Sequence, residues 1–287
     1  MARKDSEFQY KVMSRSYRGK GIFRPLNTGI IDERVRCVRE MCANIFFYTK
    51  GAQTIMIDAG YNYPRLAEKM GWIDVDPASI SDILITHCDT DHVGALEDDS
   101  ELLFKDATIY LSEIENRYLS GKPRRKVYFG SYRLPIPQIH NQRVLLQDGQ
   151  LLQIGDIKVE CLLVPGHTWG HMVYLVDDAY LFTGDTIAIN CDGGYAFNNG
   201  LAESNKVSVR SLAKLEGFLR GRGIEPLIVT GHTGTTRNLD FAFAHTDKPR
   251  NVFRKCRPYP ADAPYDSFDE SDDTEAGARA GVLTTQG

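Results

Sequence analysis

The chain is 287 residues long, 42% hydrophobic and 25% charged, with a formal net charge of -4, an ordinary balance for a globular protein with a sizeable core. Those values exclude a mostly disordered chain and a strongly basic nucleic-acid binder, and no run approaches the roughly 18 apolar residues of a membrane-spanning helix. The charge is uneven, because from Asp262 onward seven acids (Asp262, Asp266, Asp269, Glu270, Asp272, Asp273 and Glu275) face a single base, Arg279.

The first 20 residues are polar and basic with no apolar stretch, so no secretory signal is expected and the expected compartment is the cytoplasm. The six cysteines, Cys37, Cys42, Cys88, Cys161, Cys191 and Cys256, form no paired framework and read as free thiols. Cys37 and Cys42 read as the approach to a strand rather than as a metal pair, since no second pair answers them. Residues 43–48 and 53–57 alternate as a β-hairpin, and 64–70 has helical spacing with Gly71 as its end. A short buried strand, 83–86, leads into a polar loop and a helix reaching Leu96. Residues 108–111 form a strand, and Ser112 caps a helix through Tyr118.

An irregular Pro- and Arg-rich stretch occupies 120–140. Strands follow at hairpin spacing over 144–147, 150–154, 157–164, 172–176 and 179–182, with turns at Asp148-Gly149, Gly155-Asp156 and Asp177-Asp178. Residues 207–219 form a one-faced helix through Leu212, Leu215 and Leu219, and 227–230 is the last clear strand. The expected organisation is an N-terminal extension, 1–42, packing on one α/β domain, 43–261, followed by a disordered acidic tail, 262–287.

Chemistry concentrates in Ile85-Thr86-His87-Cys88-Asp89-Thr90-Asp91-His92. Imidazoles and carboxylates this close suit divalent ions of intermediate softness. Three later Gly-bearing turns, each after an apolar run, add His167, Asp185 and His232. These residues, in this order, resemble the metallo-β-lactamase superfamily, whose first motif is H-x-H-x-D-H. Thr54-Ile55-Met56-Ile57-Asp58-Ala59-Gly60 and the helix around Ser211-Leu212-Ala213-Lys214-Leu215 resemble further landmarks of that family.

The resemblance implies a four-layer αββα sandwich and a dinuclear metal site, with zinc expected first and iron or manganese as alternatives. Site one would hold His87, Asp89 and His167; site two would hold Asp91, His92 and His232; Asp185 would bridge, and Asp91 and Asp185 would be the catalytic carboxylates. The implied activity is hydrolysis of a small-molecule ester-like bond (lactone, thioester or phosphodiester) by a metal-bridging hydroxide. Asp89 departs from the family pattern, which has a second His there. The extra anion takes the formal charge of two divalent ions, three carboxylates and a hydroxide to about zero, which weakens the Lewis acid and favours harder ions. H-x-D-x-D-H is similar to phosphodiesterase members, the 165–168 and 182–186 segments to the glyoxalase II and lactonase branch, and a carboxylate at 89 to flavodiiron reductases. A di-iron oxidoreductase and a non-catalytic binding descendant are the alternatives.

Asp58 and His171 are expected behind the ligands, orienting them. Tyr195 and Phe197, in the Gly- and Asn-rich stretch 192–200, are candidate walls of a substrate cleft. The basic and aromatic run 122–129 reads first as a solvated loop and second as a lid for an anionic substrate. No membrane or nucleic-acid partner is indicated, and a homodimer is left open.

Overall fold

The computed structural model describes residues 23–61, 66–97, 103–128, 130–197, 200–248 and 272–281. A seven-stranded sheet has the order β1 (Gly29–Ile30), β2 (Val35–Glu40), β3 (Ala43–Lys50), β4 (Gln53–Ile57), β5 (Asp82–Leu84), β6 (Thr108–Ser112), β9 (Arg143–Leu146). A six-stranded sheet has the order β10 (Gln150–Ile154), β11 (Ile157–Leu163), β12 (Met172–Val176), β13 (Tyr180–Phe182), β16 (Leu227–Val229), β17 (Thr235–Thr236). Both sheets mix antiparallel hairpins with parallel pairs, β4 with β5 and β13 with β16 among them.

Strand alternation explains the layers. In β3, Phe46 and Tyr48 point between the sheets, where they meet Met172, Tyr174, Val176 and Phe182, while Ile45 and Phe47 point the other way. That outer face is covered by the helix Leu66–Trp72 through Leu66, Met70 and Trp72. In β12, Val173 and Leu175 face outward onto Leu212, Leu215 and Leu219 of the helix Asn205–Arg222. Helix, sheet, sheet and helix therefore stack in the expected αββα order, and each fully buried aliphatic or aromatic side chain contributes about 1.5–3 kcal/mol. Among the described residues no helix is long and apolar enough to cross a membrane.

Several expectations are corrected. β2, expected in an extension, is fully paired with β3 from Val35↔Tyr48 to Glu40↔Ala43, so 29–40 belongs to the sheet itself. Gly71 does not end its helix, which runs to Trp72; its expected start at Pro64 lies outside the described residues. The stretch 192–200 contributes a strand, Gly193–Ala196 (β15), which pairs with Ile187–Asn190 (β14). The irregular stretch 120–140 contains a small hairpin, β7 (Lys126–Val127) with β8 (Tyr132–Arg133).

The acidic tail is ordered over 272–281. Thr274 caps a helix at Glu275–Arg279, and Ala278 packs into the outer core of the first sheet. Asp273 is fully buried against Lys69 at 2.8 Å and accepts from the amide and hydroxyl of Thr28, while Asp272 pairs with Arg39 at 2.9 Å. Low aliphatic content marked the segment as unfolded, but its stabilisation comes from paired charge and one small apolar contact. Residues 262–271 and 282–287 lie outside the described residues.

Candidate metal centre

The parallel strands bring their carboxyl ends to one edge of the sandwich, the usual position for a site in mixed α/β folds. Asp58 follows β4, His87 and Asp89 follow β5, Asp185 follows β13 and His232 follows β16. His167 stands in the turn between β11 and β12. Asp91 and His92 lie in the one-turn helix Thr90–Val93, directly after Asp89. All seven candidate donors are buried.

Donors about 2.0–2.2 Å from a tetrahedral ion lie about 3.3–3.6 Å from one another. In the first group, Asp89 Oδ2 is 3.3 Å from His167 Nε2 and 3.7 Å from His87 Nε2, and Asp185 Oδ2 is 3.5 and 3.9 Å from the same two nitrogens. In the second group, Asp91 Oδ2 is 3.3 Å from His232 Nε2 and 3.7 Å from His92 Nε2. Asp185 closes that group too, with Oδ2 3.0 Å from His232 Nε2 and Oδ1 3.3 Å from His92 Nε2. Asp185 thus stands between two sets of converging donors. Among the described residues, His87 Nε2, His92 Nε2 and Asp185 Oδ1 are buried without a hydrogen-bond partner. Buried polar atoms left so are expensive unless a cation takes them, so the donor set fits metal binding.

Surrounding groups fix the orientation of each donor. Asp58 Oδ2 is 2.8 Å from His92 Nδ1, and Asp58 Oδ1 accepts from the Thr86 amide at 2.7 Å. The Thr86 hydroxyl lies 3.1 Å from His87 Nδ1. His232 Nδ1 is 2.6 Å from the Cys42 carbonyl. His171 Nε2 accepts from the Asp185 amide at 3.0 Å, and its ring stacks on His87. Gly184 has φ +47°, and a Cβ there would sit 2.7 Å from the Thr86 hydroxyl and 2.8 Å from the His171 ring, so this turn requires glycine.

Burial disfavours a charged imidazole throughout the cluster. At His92 and His232 the Asp185 carboxylate overcomes burial and lifts proton affinity well above the usual histidine value. At His87, burial and the neighbouring His92 hold it well below. Burial would raise Asp185, yet His232, His92 and His167 keep it well below the carboxylate range. Cations entering this cluster would therefore displace protons.

Some positions differ from expectation. Phe197 stacks on His232 at 5.5 Å and tilts against His167 at 5.8 Å, so its ring packs directly on two of the candidate donors. The Tyr195 hydroxyl instead donates to Asp192 and its ring packs on His245, neither of which belongs to the cluster. Phe23 adds an edge-on contact to His232 at 4.7 Å. The Cys42 thiol lies within 4.8 Å of donors of Asp91 and His232, and burial pushes its pKa up.

Two further residues were hidden in the sequence. Glu115 ties the two metal-bearing turns together, accepting from the Cys88 amide at 2.8 Å and the Thr168 hydroxyl at 2.5 Å, and burial raises it to about 7. Arg125, from the run expected as solvated loop, is 5% exposed and grips Asp89 with Nε to Oδ1 at 2.9 Å and Nη2 to Oδ2 at 3.0 Å. Burial would raise Asp89, but Arg125 and then His167 bring it down to about 2.

A family model described as the metallo-beta-lactamase superfamily matches residues 41–232. The chain is 32% identical over 133 residues to a probable polyketide biosynthesis zinc-dependent hydrolase of Bacillus velezensis, spanning 46% of this chain and only 49% of that protein. It is 28% identical over 225 residues to a hydroxyacylglutathione hydrolase of Cereibacter sphaeroides, spanning 77% of this chain and 73% of the relative. In three dimensions it is similar to a subclass B3 metallo-beta-lactamase with an active-site glutamic acid, with TM-score 0.58 and 18% identity over 83% of this chain and 92% of the other. That last likeness is one of fold.

Proposed function

Because the chain belongs to the metallo-beta-lactamase superfamily, we propose that it is a metal-dependent hydrolase of a small ester-like substrate, with thioesters the first class to test. The observation that carries this reading is the pair of donor groups 3.0–3.9 Å from the Asp185 oxygens on either side of it, close to the spacing of ligands on one ion. His87, Asp89, His167 and Asp185 would hold one divalent ion, and Asp91, His92, His232 and Asp185 the other, zinc being favoured by the imidazole and carboxylate donors. Two such ions, when bound, would supply an acidified water and polarise the substrate oxygen. Similarity to a hydroxyacylglutathione hydrolase, a protein named for an acylglutathione and so for a thioester, supports the thioester class.

The chain's own residues hold the geometry. Asp58 fixes His92, the Cys42 carbonyl fixes His232, and His171 fixes the backbone of Asp185. Phe23 and Phe197 cover His232 with apolar surface and exclude water from that side, which strengthens electrostatic interactions within. The di-iron oxidoreductase reading drew on the extra negative charge of Asp89, which Arg125 offsets.

The test joins metal content, an optical spectrum and hydrolysis of an acylglutathione thioester, a lactone panel and a phosphodiester panel. Two colourless divalent ions per chain with thioester cleavage are expected. Bound iron whose absorption bleaches on reduction, with no hydrolysis of any panel, would overturn the reading.

A further inference from the structure

Arg125 is unusually placed for a residue of an otherwise exposed basic run. Lys122, Arg124 and Lys126 around it face solvent, whereas Arg125 is almost fully buried. Besides gripping both oxygens of Asp89, it donates from Nη2 to the Leu201 carbonyl at 2.5 Å and from Nη1 to the Lys126 carbonyl at 2.8 Å. Two backbone carbonyls therefore position the guanidinium independently of Asp89, and its planar fork does the rest. Nη2 also lies 3.5 Å from His167 Nε2, so a fixed positive charge sits at the edge of the first donor group.

This position decides the charge of the centre. Three carboxylates, Asp89, Asp91 and Asp185, converge on it, and one buried arginine cancels one of them. Arg125 occupies Oδ1 and one side of Oδ2, which leaves Oδ2 a single direction toward His87 and His167. We propose that Asp89 and Arg125 act as one neutral ligand unit, in which Arg125 is a positioning residue that tunes the first ion. With the arginine, the pair donates as weakly as an uncharged ligand and the centre keeps its preference for zinc. Without it, Asp89 would be a full anion and the centre would favour harder ions. The inference rests on the metal-dependent reading above.

A double-mutant cycle on zinc binding, read by chelator competition and elemental analysis, tests it. Asp89→His alone strands the buried cation of Arg125 beside a neutral ligand, and should weaken the more loosely held zinc about 10–100-fold. Adding Arg125→Gln to that variant should return most of the affinity, whereas Arg125→Gln alone should move the zinc-to-manganese preference toward manganese by about tenfold. Thermal unfolding of each metal-free variant checks folding. If Arg125→Gln lowers zinc affinity equally in both backgrounds, the arginine is only a structural prop and the inference falls. If the wild-type chain retains no zinc under the same competition, the metal-dependent reading itself fails.

Discussion

Asp58 follows β4 with φ 59°, an angle that costs a non-glycine residue free energy and persists only where its surroundings hold it. Its two oxygens bond Thr86 and His92, so the strained turn aims the carboxylate at the metal loop. Asp58→Ala should leave the fold intact and lower metal affinity about 10–100-fold, measured by chelator competition; unchanged affinity would mean that packing alone orients His92. Glu115 gives a prediction in pH. Burial raises its carboxyl from 4.5 to about 7, so the proton-linked stability is fully present below the ordinary value and is lost as pH rises through about 7. Relative to wild type, Glu115→Gln should therefore gain about 3 kcal/mol between pH 4 and pH 8, read from denaturant unfolding at each pH. At this scale the candidate donors were legible, because each stands beside an apolar run in a short turn. Glu115 and Arg125 were not, since neither has a local motif.

The helix Asn205–Arg222 links element packing to the centre. Its one-faced pattern was legible through Leu212, Leu215 and Leu219, and Ser204 caps it as the Val207 amide donates to the Ser204 hydroxyl. Its contact with the His167 turn was not legible. The Ser204 amide donates to the Gly166 carbonyl and the Glu203 amide to the His167 carbonyl, both at 2.9 Å. At Gly166, φ is +145° and a Cβ would lie 2.4 Å from the Ser208 Cα, so helix and turn touch through backbone. Gly166→Ala should cost about 1–3 kcal/mol from backbone strain and displace His167, seen as lower melting temperature together with loss of one bound ion. A variant of normal stability and full metal content would show that the turn can move aside. The strand Gly193–Ala196 was not legible, because two glycines give no strand pattern, and its pairing is set by Ile187–Asn190 and by helix Leu239–Phe243 behind it.

On the scale of the whole molecule, the C-terminal segment closes onto the first sheet far from its neighbours in sequence. Lys69 and Asp273 are both fully buried, and Lys69 Nζ also donates to the Arg39 carbonyl at 2.8 Å, three residues before the Cys42 carbonyl that holds His232. Asp273→Ala should destabilise by about 3–5 kcal/mol, because it takes a buried carboxylate away from a fully buried ammonium, while pairing it with Lys69→Met should recover much of that loss. Chemical denaturation of the full chain measures both; a single variant within about 0.5 kcal/mol of wild type would mean the segment detaches without consequence.

The amino-acid order alone pointed to two packed sheets with helices outside and to the turn-borne His and Asp donors, because period-two alternation and ligands in short turns are local features, while the αββα order and the edge position came from the family resemblance. Tertiary structure alone decided the net charge of that edge and the fate of the acidic tail. Arg125 meets Asp89 across 36 positions and Asp273 meets Thr28 across 245. A buried charge is stable only beside its partner, and which charges become partners depends on how the whole chain closes.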